Sequence, residues 1–313
     1  MTSPSEAIRL VDVTKRYGEF TAVDAISFDV SSGTVFGLLG PNGAGKTTTI
    51  RMIMNIIAPD SGSISVLGRS SREASAQVIG YLPEERGLYR RMKVIDHVAF
   101  LGEIKGLSRA VARRRADDWL ERFGLIEWRT KKVEELSKGM QQKLQFIGCV
   151  IHDPQILILD EPFTGLDPVN ARALKDLLLE FRQQGKTLVI STHIMEQAEK
   201  LCDEIALINR ARIVLHGSLP RIRREYSRNR LTIRGGGSLE RLATLEGVDG
   251  VWHRNGETEV ELADGLAPGE FLRRATMVCD IESAVPHEAS LDEIFVRIVD
   301  PTALSSSPIE GDS

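Results

Sequence analysis

Gly40-Pro41-Asn42-Gly43-Ala44-Gly45-Lys46-Thr47-Thr48 is the stretch on which the fold turns. It follows an apolar run at residues 34–39 that reads as a strand buried on both faces. Residues 47–57 then read as a helix that ends before Pro59. A glycine-rich turn between a buried strand and a helix is a phosphate-binding loop. Its glycines let successive backbone N–H groups close around phosphate oxygens, and the helix adds the positive end of its dipole. All nine residues are therefore candidate phosphate ligands. Lys46 is spaced to reach the β- and γ-phosphates, and Thr47 to bind Mg²⁺.

Outward from the loop, apolar runs at 8–13, 26–30, 156–159 and 188–190 read as further strands. The run at 156–159 ends in Asp160-Glu161. A carboxylate at that strand end stands beside the phosphates, where Asp160 can hold Mg²⁺ through water and Glu161 can accept a proton from an attacking water. Between residues 94 and 151 the pattern turns helical and rich in Arg, Lys and Glu, a helical subdomain inserted into an α/β core.

The composition changes after Gly217. Residues 221–230 are polar and basic, and read as a linker or a solvated helix. A second unit follows with a strand at 231–234, a helix at 239–245 and a hairpin over 248–262 turning at Asn255-Gly256. A helix at 269–274 and a strand at 278–284 complete the order of a ferredoxin-like split unit. A last helix spans 291–299, and the Ser-rich tail reads as disordered. The expected division is a first domain over 1–217, a linker over 218–229, an α+β unit over 230–300 and a tail over 301–313.

Bulk composition narrows the function. A length of 313 residues suggests two domains. Lys plus Arg at 40 against Asp plus Glu at 44 gives a net charge of −4, which argues against a strongly basic nucleic-acid binder. Cys149, Cys202 and Cys279 are too few and too scattered for a disulfide framework or zinc cluster, which fits a reducing compartment. The longest apolar runs, such as 146–151, fall far below the roughly 18 residues of a membrane span. The first seven residues lack the basic start and apolar core of a signal peptide. The expectation is a cytoplasmic protein that borrows membrane spans from a partner if it works at a membrane.

Further motifs make a resemblance specific. Leu136-Ser137-Lys138-Gly139-Met140-Gln141-Gln142 resembles the signature motif of ATP-binding cassette (ABC) ATPases. Gly165-Leu166-Asp167 is similar to that family's D-loop, and His193 follows a strand where the family keeps its switch histidine. Tyr17, in Lys15-Arg16-Tyr17-Gly18, takes the place of the aromatic that stacks on adenine. The resemblance spans residues 8–217. It implies an α/β fold, a P-loop ABC nucleotide-binding domain with a RecA-like core, an antiparallel β subdomain and a helical subdomain. It implies ATP and Mg²⁺, with Lys46, Glu161 and His193 catalytic and Thr47, Asp160 and Glu84 at the metal. Ser137, Lys138, Gly139 and Met140 would face the ATP of a partner subunit, so the chain would form a homodimer or pair with a second ABC ATPase subunit.

Two positions depart from the family pattern. Glu84 stands where Gln is usual; a carboxylate can still bind Mg²⁺ but brings an added negative charge. Lys138 and Met140 stand where Gly and Gln are commoner, while Ser137 and Gly139 remain.

Residues 81–89 and the C-terminal unit resemble the ATPase subunits of two-component bacterial exporters, the group that includes sodium-efflux ATPases. That implies a separate transmembrane permease facing residues 84–101, no nucleic-acid partner, and a peripheral place on the inner face of the cell membrane. The rival reading is a soluble ABC ATPase acting on the ribosome or nucleic acid. Such proteins carry two cassettes or long coiled coils, and neither pattern is visible here.

Overall fold

In this computed structural model the described residues are 6–74, 77–84, 87–227, 229–236, 239–254 and 257–299. The expected turn at Asn255-Gly256, Arg228 and the tail lie outside them. The chain enters as an antiparallel hairpin, β1 (Glu6–Tyr17) and β2 (Phe20–Ser31), closed where Tyr17 faces Phe20. It continues into β3 (Val35–Leu39), buried at every position, then the glycine turn and α1 (Lys46–Ile53). Next come β4 (Ser61–Val66), the two-residue β5 (Arg69–Ser70) and β6 (Ile79–Leu82). Three helices follow, α2 (Val94–Ile104), α3 (Arg109–Arg122) and α4 (Lys138–Val150). Alternation resumes with β7 (Ile156–Asp160), α5 (Pro168–Gln183), β8 (Thr187–Thr192), α6 (Met195–Glu199), β9 (Glu204–Asn209) and β10 (Arg212–Ser218).

These elements form three layers of distinct chemistry. A six-stranded sheet runs in the order β10-β9-β3-β8-β7-β6, parallel from β9 to β6 with β10 antiparallel at the edge. Its central strands β3, β7 and β8 have no exposed position, as parallel strands covered on both faces require. A four-stranded antiparallel sheet, β2-β1-β4-β5, packs its apolar positions into the same core. The helical part has a core of its own, with Val98, Leu120, Leu144 and Ile147 fully buried. Helix α1 stops at Ile53, four residues short of the expectation, because Asn55 takes a left-handed φ of 53° and turns the chain away.

The chain divides into two compact units between Ser218 and Leu219. The second comprises α7 (Leu219–Tyr226), β11 (Arg230–Gly236), a 3₁₀ turn at Leu239–Thr244, β12 (Val248–Arg254) and β13 (Glu257–Leu262). It ends with α8 (Pro268–Ala275), β14 (Asp280–Pro286) and α9 (Leu291–Val299). Its sheet is antiparallel throughout in the order β12-β13-β11-β14, the ferredoxin-like arrangement of a split unit. Ile233, Leu242, Val260 and Phe271 are fully buried on one face.

The stretch expected as a linker at 218–229 is instead largely α7. Leu219 and Ile222 are buried, each contributing roughly 2 kcal/mol of apolar transfer. Arg223 donates to the Ala289 carbonyl at 3.2 Å and pairs with Glu288. Its many arginines mask a short apolar stripe in the sequence. All three cysteines are free and buried; burial pushes the Cys149 and Cys202 thiols up to about 12. No helix among the described residues is long and apolar enough to cross a membrane.

Candidate active site

Parallel pairing positions the site. Leu39 faces Thr192 across β3 and β8, and Asp160 faces Ser191 across β7 and β8. Neighbouring strands lie about 4.8 Å apart, so the carboxyl ends of β3, β8 and β7 bring the glycine turn, His193 and Asp160-Glu161 together.

The turn itself is fixed by backbone that only glycine adopts freely. Gly40, Gly43 and Gly45 have φ of 144°, 78° and 114°. A Cβ at Gly45 would stand 2.4 Å from the Ala22 carbonyl oxygen, and one at Gly40 would stand 2.1 Å from that of Ile208. Gly45 is the N-cap of α1 and supplies no side-chain acceptor, so the first N–H groups of the helix are not capped by a side chain. This helix start borders a cavity of about 360 Å³. Asn42, Gly43, Gly45, Lys46, Thr47 and Thr48 line it together with Glu84 and Glu161.

Charge is concentrated in this cavity. Lys46 donates to the carbonyls of Gly40 at 2.8 Å and Pro41 at 3.2 Å, and its ammonium lies 3.8 Å from Glu161 Oε1. Burial pushes the Lys46 ammonium below its usual range, while Glu161, Asp160 and Glu84 oppose that shift. Glu161 Oε1 also lies 2.9 Å from His193 Nδ1. The Glu161 side chain is only 7% exposed against 41% for His193, so the carboxylate is sheltered and the imidazole reaches outward. Glu161 holds a left-handed φ of 49° and donates its N–H to the Ser191 carbonyl at 3.0 Å.

The donors suit a hard cation. Thr47 Oγ1 donates to Asp160 Oδ2 at 2.9 Å, while Asp160 Oδ1 is buried without a hydrogen-bond partner. A buried carboxylate oxygen left bare is costly. Together with Glu84, which lines the same cavity, these oxygens fit Mg²⁺, which takes hydroxyl and carboxylate ligands.

Other expected residues stand elsewhere. Tyr17 closes the β1–β2 hairpin, half exposed, with the Lys15 ammonium 5.6 Å from its ring centre. It is not among the cavity-lining residues; Phe20 and Ala22 are. Sequence reading missed Phe20, although an aromatic three residues beyond Tyr17 was a visible signal. Ser137 is the N-cap of α4 and accepts from the Met140 N–H at 3.3 Å. Ser137, Lys138, Gly139 and Met140 do not line this cavity of their own chain. Asp167 caps α5: the N–H groups of Asn170 and Val169 and the Asn170 amide donate to it and hold its carboxyl below the usual range.

Two further side chains tie α4 to the site. The Gln142 amide donates to the Pro162 and Thr164 carbonyls at 3.3 and 3.2 Å, just beyond Glu161. The Gln145 amide donates to the Pro83 carbonyl at 3.1 Å, next to Glu84. Neither was legible as a tether, because each partner is a backbone oxygen.

Comparison with known proteins agrees with the geometry. Residues 23–164 match the family model described as ABC transporter, and residues 217–299 match the DrrA1-3-like ATP-binding protein C-terminal domain. The chain is 40% identical over 296 residues to the uncharacterized ABC transporter ATP-binding protein YhaQ of Bacillus subtilis, covering 92% of this chain and 96% of that protein. It is 41% identical over 219 residues to the Nod factor export ATP-binding protein I of Paraburkholderia xenovorans, covering 69% and 72%. A solved structure of the ATP binding subunit of an ABC transporter superposes with a TM-score of 0.66 at 31% identity, covering 76% of this chain and 98% of that one. On sequence, fold and site together, the chain belongs to the ATP-binding proteins of the ABC transporter family.

Proposed function

We propose that the chain hydrolyses ATP and that hydrolysis drives export through a separate membrane permease. The observation that carries the hydrolytic step is the Glu161 carboxylate, set between Lys46 at 3.8 Å and His193 at 2.9 Å on the wall of the phosphate cavity. Lys46 and the α1 N–H groups bind and neutralise the phosphates. Glu161 Oε1 accepts the proton of the attacking water, and His193 Nδ1 orients that oxygen. Thr47, Asp160 and Glu84 would hold Mg²⁺, which when bound offsets phosphate charge. Tyr17 and Phe20, facing each other across the hairpin, offer an aromatic surface for the base.

Gly139 supports a second subunit. A Cβ there would meet nothing within 4 Å, and its φ is not among the left-handed ones, so its own chain does not require glycine. A glycine its fold does not demand fits close approach from outside. With the Ser137-capped start of α4 turned to a partner's ATP, each nucleotide would be shared by two subunits. Hydrolysis would then release the pair.

The exporter reading rests on the Nod factor export relative and on the transporter names of the others. None of these names points to the ribosome. Glu161→Gln keeps the shape of the site and removes the base. It should retain ATP binding, lose at least about a hundredfold in turnover and accumulate an ATP-dependent dimer on gel filtration. Undiminished phosphate release by this variant would reject the assignment. Affinity capture from solubilised membranes should bring down a multi-span protein in stoichiometric amount; soluble partners alone would reject the export reading.

A further inference from the structure

The C-terminal unit holds a cluster that the nucleotide site does not use. Glu259 on β13, His287 just after β14 and Glu293 in the first turn of α9 each turn a ligand atom to one point, and the three atoms lie within 4.8 Å of one another. His287 is 8% exposed and Glu259 is 9% exposed. We propose that these three side chains form a binding site for a divalent transition metal of the zinc class. The proposal does not depend on the reading of the nucleotide site.

The side chains are arranged as ligands rather than as a closed ion-pair set. His287 Nε2 lies 3.1 Å from Glu293 Oε2 and 3.9 Å from Glu259 Oε2. Ligand atoms around a tetrahedral zinc stand about 3.3 Å apart, so small rotations of the glutamates would close the set. Glu259 Oε2 is also 3.9 Å from Arg230 Nη1, beyond hydrogen-bond reach. The Arg230 guanidinium is instead engaged by Glu261 at 2.8 Å and lies 4.7 Å from the Trp252 ring centre. Glu259 is thus a nearly buried carboxylate whose Oε2 lies 3.9 Å from both Arg230 Nη1 and His287 Nε2 and is hydrogen-bonded to neither. Two carboxylates and one imidazole with ligand atoms this close match the three-ligand donor set of an open zinc site.

The surrounding groups orient the ligands. His287 Nδ1 lies 3.1 Å from Thr232 Oγ1. Holding Nδ1 leaves Nε2 to face the carboxylates, which is how metal-bound histidines are fixed. Thr232 and Glu259 are cross-strand partners, so one ladder carries both a ligand and its orienting hydroxyl. Glu293 Oε2 accepts from the Ser290 N–H at 3.0 Å while Ser290 Oγ accepts from the Glu293 N–H at 3.2 Å, a capping box that pins the third ligand. A groove of about 600 Å³ lined by Thr232, Arg234, Val285, His287 and Glu288 reaches the cluster on its His287 side. The glutamates also hold His287 above its ordinary range, so a proton competes for the same nitrogen.

The test uses the full chain, stripped with chelator and kept in excess Mg²⁺. Titration with Co²⁺ should show saturable uptake of about one ion per chain, with visible absorption bands from ligand nitrogen and oxygen, and Zn²⁺ should displace it. Glu259→Gln, which preserves shape, and His287→Ala should each weaken uptake by at least about tenfold. Thr232→Val should weaken it by a similar factor while metal-free melting stays near that of the wild type. If His287→Ala unfolds, Glu259→Gln decides. Absence of saturable Co²⁺ uptake, or uptake that survives Glu259→Gln, would overturn the site and leave His287 as a hydrogen-bonding partner of Glu293 and Thr232.

Discussion

Glu161 carries a conformational cost of the order of 1–2 kcal/mol, because a non-glycine residue at a φ of 49° crowds its own Cβ. Its N–H bond to Ser191 and the flanking β7–β8 pairing hold it there. His97 presents the opposite case, a polar residue with no bonds to hold. Its side chain is fully buried on α2 beside the Tyr89 ring, and neither ring nitrogen has a hydrogen-bond partner. Burial pushes its pKa down to about 4. Between pH 6.5 and 4 the unfolded chain therefore binds a proton that the folded chain refuses. Stability falls as pH falls through that window, by about 3 kcal/mol at its lower end. His152, lowered to about 4 by burial and then by the Lys105 charge, adds to the same acid limb. His97→Phe should raise stability at neutral pH by about 1–2 kcal/mol and flatten the limb. Urea melts at pH 7.5 and 5 would show it; an equal acid loss in both proteins would exclude His97 as the source.

Among the elements, α4 links the most distant parts of the nucleotide unit. Its first turn bears Lys138, Gly139 and Met140, its middle turns send Gln142 to the loop after Glu161 and Gln145 to the loop before Glu84, and its last turns pack into the helical core. Through these hydrogen bonds the helix is tied to the backbone next to both Glu161 and Glu84. Gln142→Met keeps the length of the side chain and removes both hydrogen bonds, about 1–2 kcal/mol in all. We expect ATP affinity within about twofold of wild type and a turnover reduced about tenfold. Equal turnover at saturating ATP would separate the helix from the chemistry. The glycine turn and Asp160-Glu161 were readable because chemistry is written there in consecutive residues. The tethers were not, since glutamine amides seeking main-chain oxygens leave no pattern.

On the scale of the molecule, each unit buries its own apolar cluster, one around β3, β7 and β8 and one around Phe271. Calorimetry should resolve two transitions. ATP with Mg²⁺ at about a hundred times its dissociation constant should add roughly 2.7 kcal/mol to the first unit and move only its transition, by several degrees. One transition shifted as a whole would show that the units melt together. Much of this architecture was legible: fully apolar runs betrayed the parallel strands, and the second unit followed from its order of strands and helices. The 218–229 stretch was legible only as a linker or a solvated helix, because the two buried residues that settle the helix, Leu219 and Ile222, are disguised by five arginines at 221–230. The convergence of Glu259, His287 and Glu293 was also hidden, since only the pairing of β11 with both β13 and β14 brings them together.

The enclosure of all three thiols has a practical side. Cys149, Cys202 and Cys279 are buried, and burial keeps each protonated at neutral pH. Alkylating dyes and spin labels attack thiolates that they can reach. On this chain they meet none, so a single cysteine introduced on the surface gives one address for a fluorophore. The opening and closing proposed for a pair of subunits would then be open to direct observation without first stripping the protein of its native sulfur.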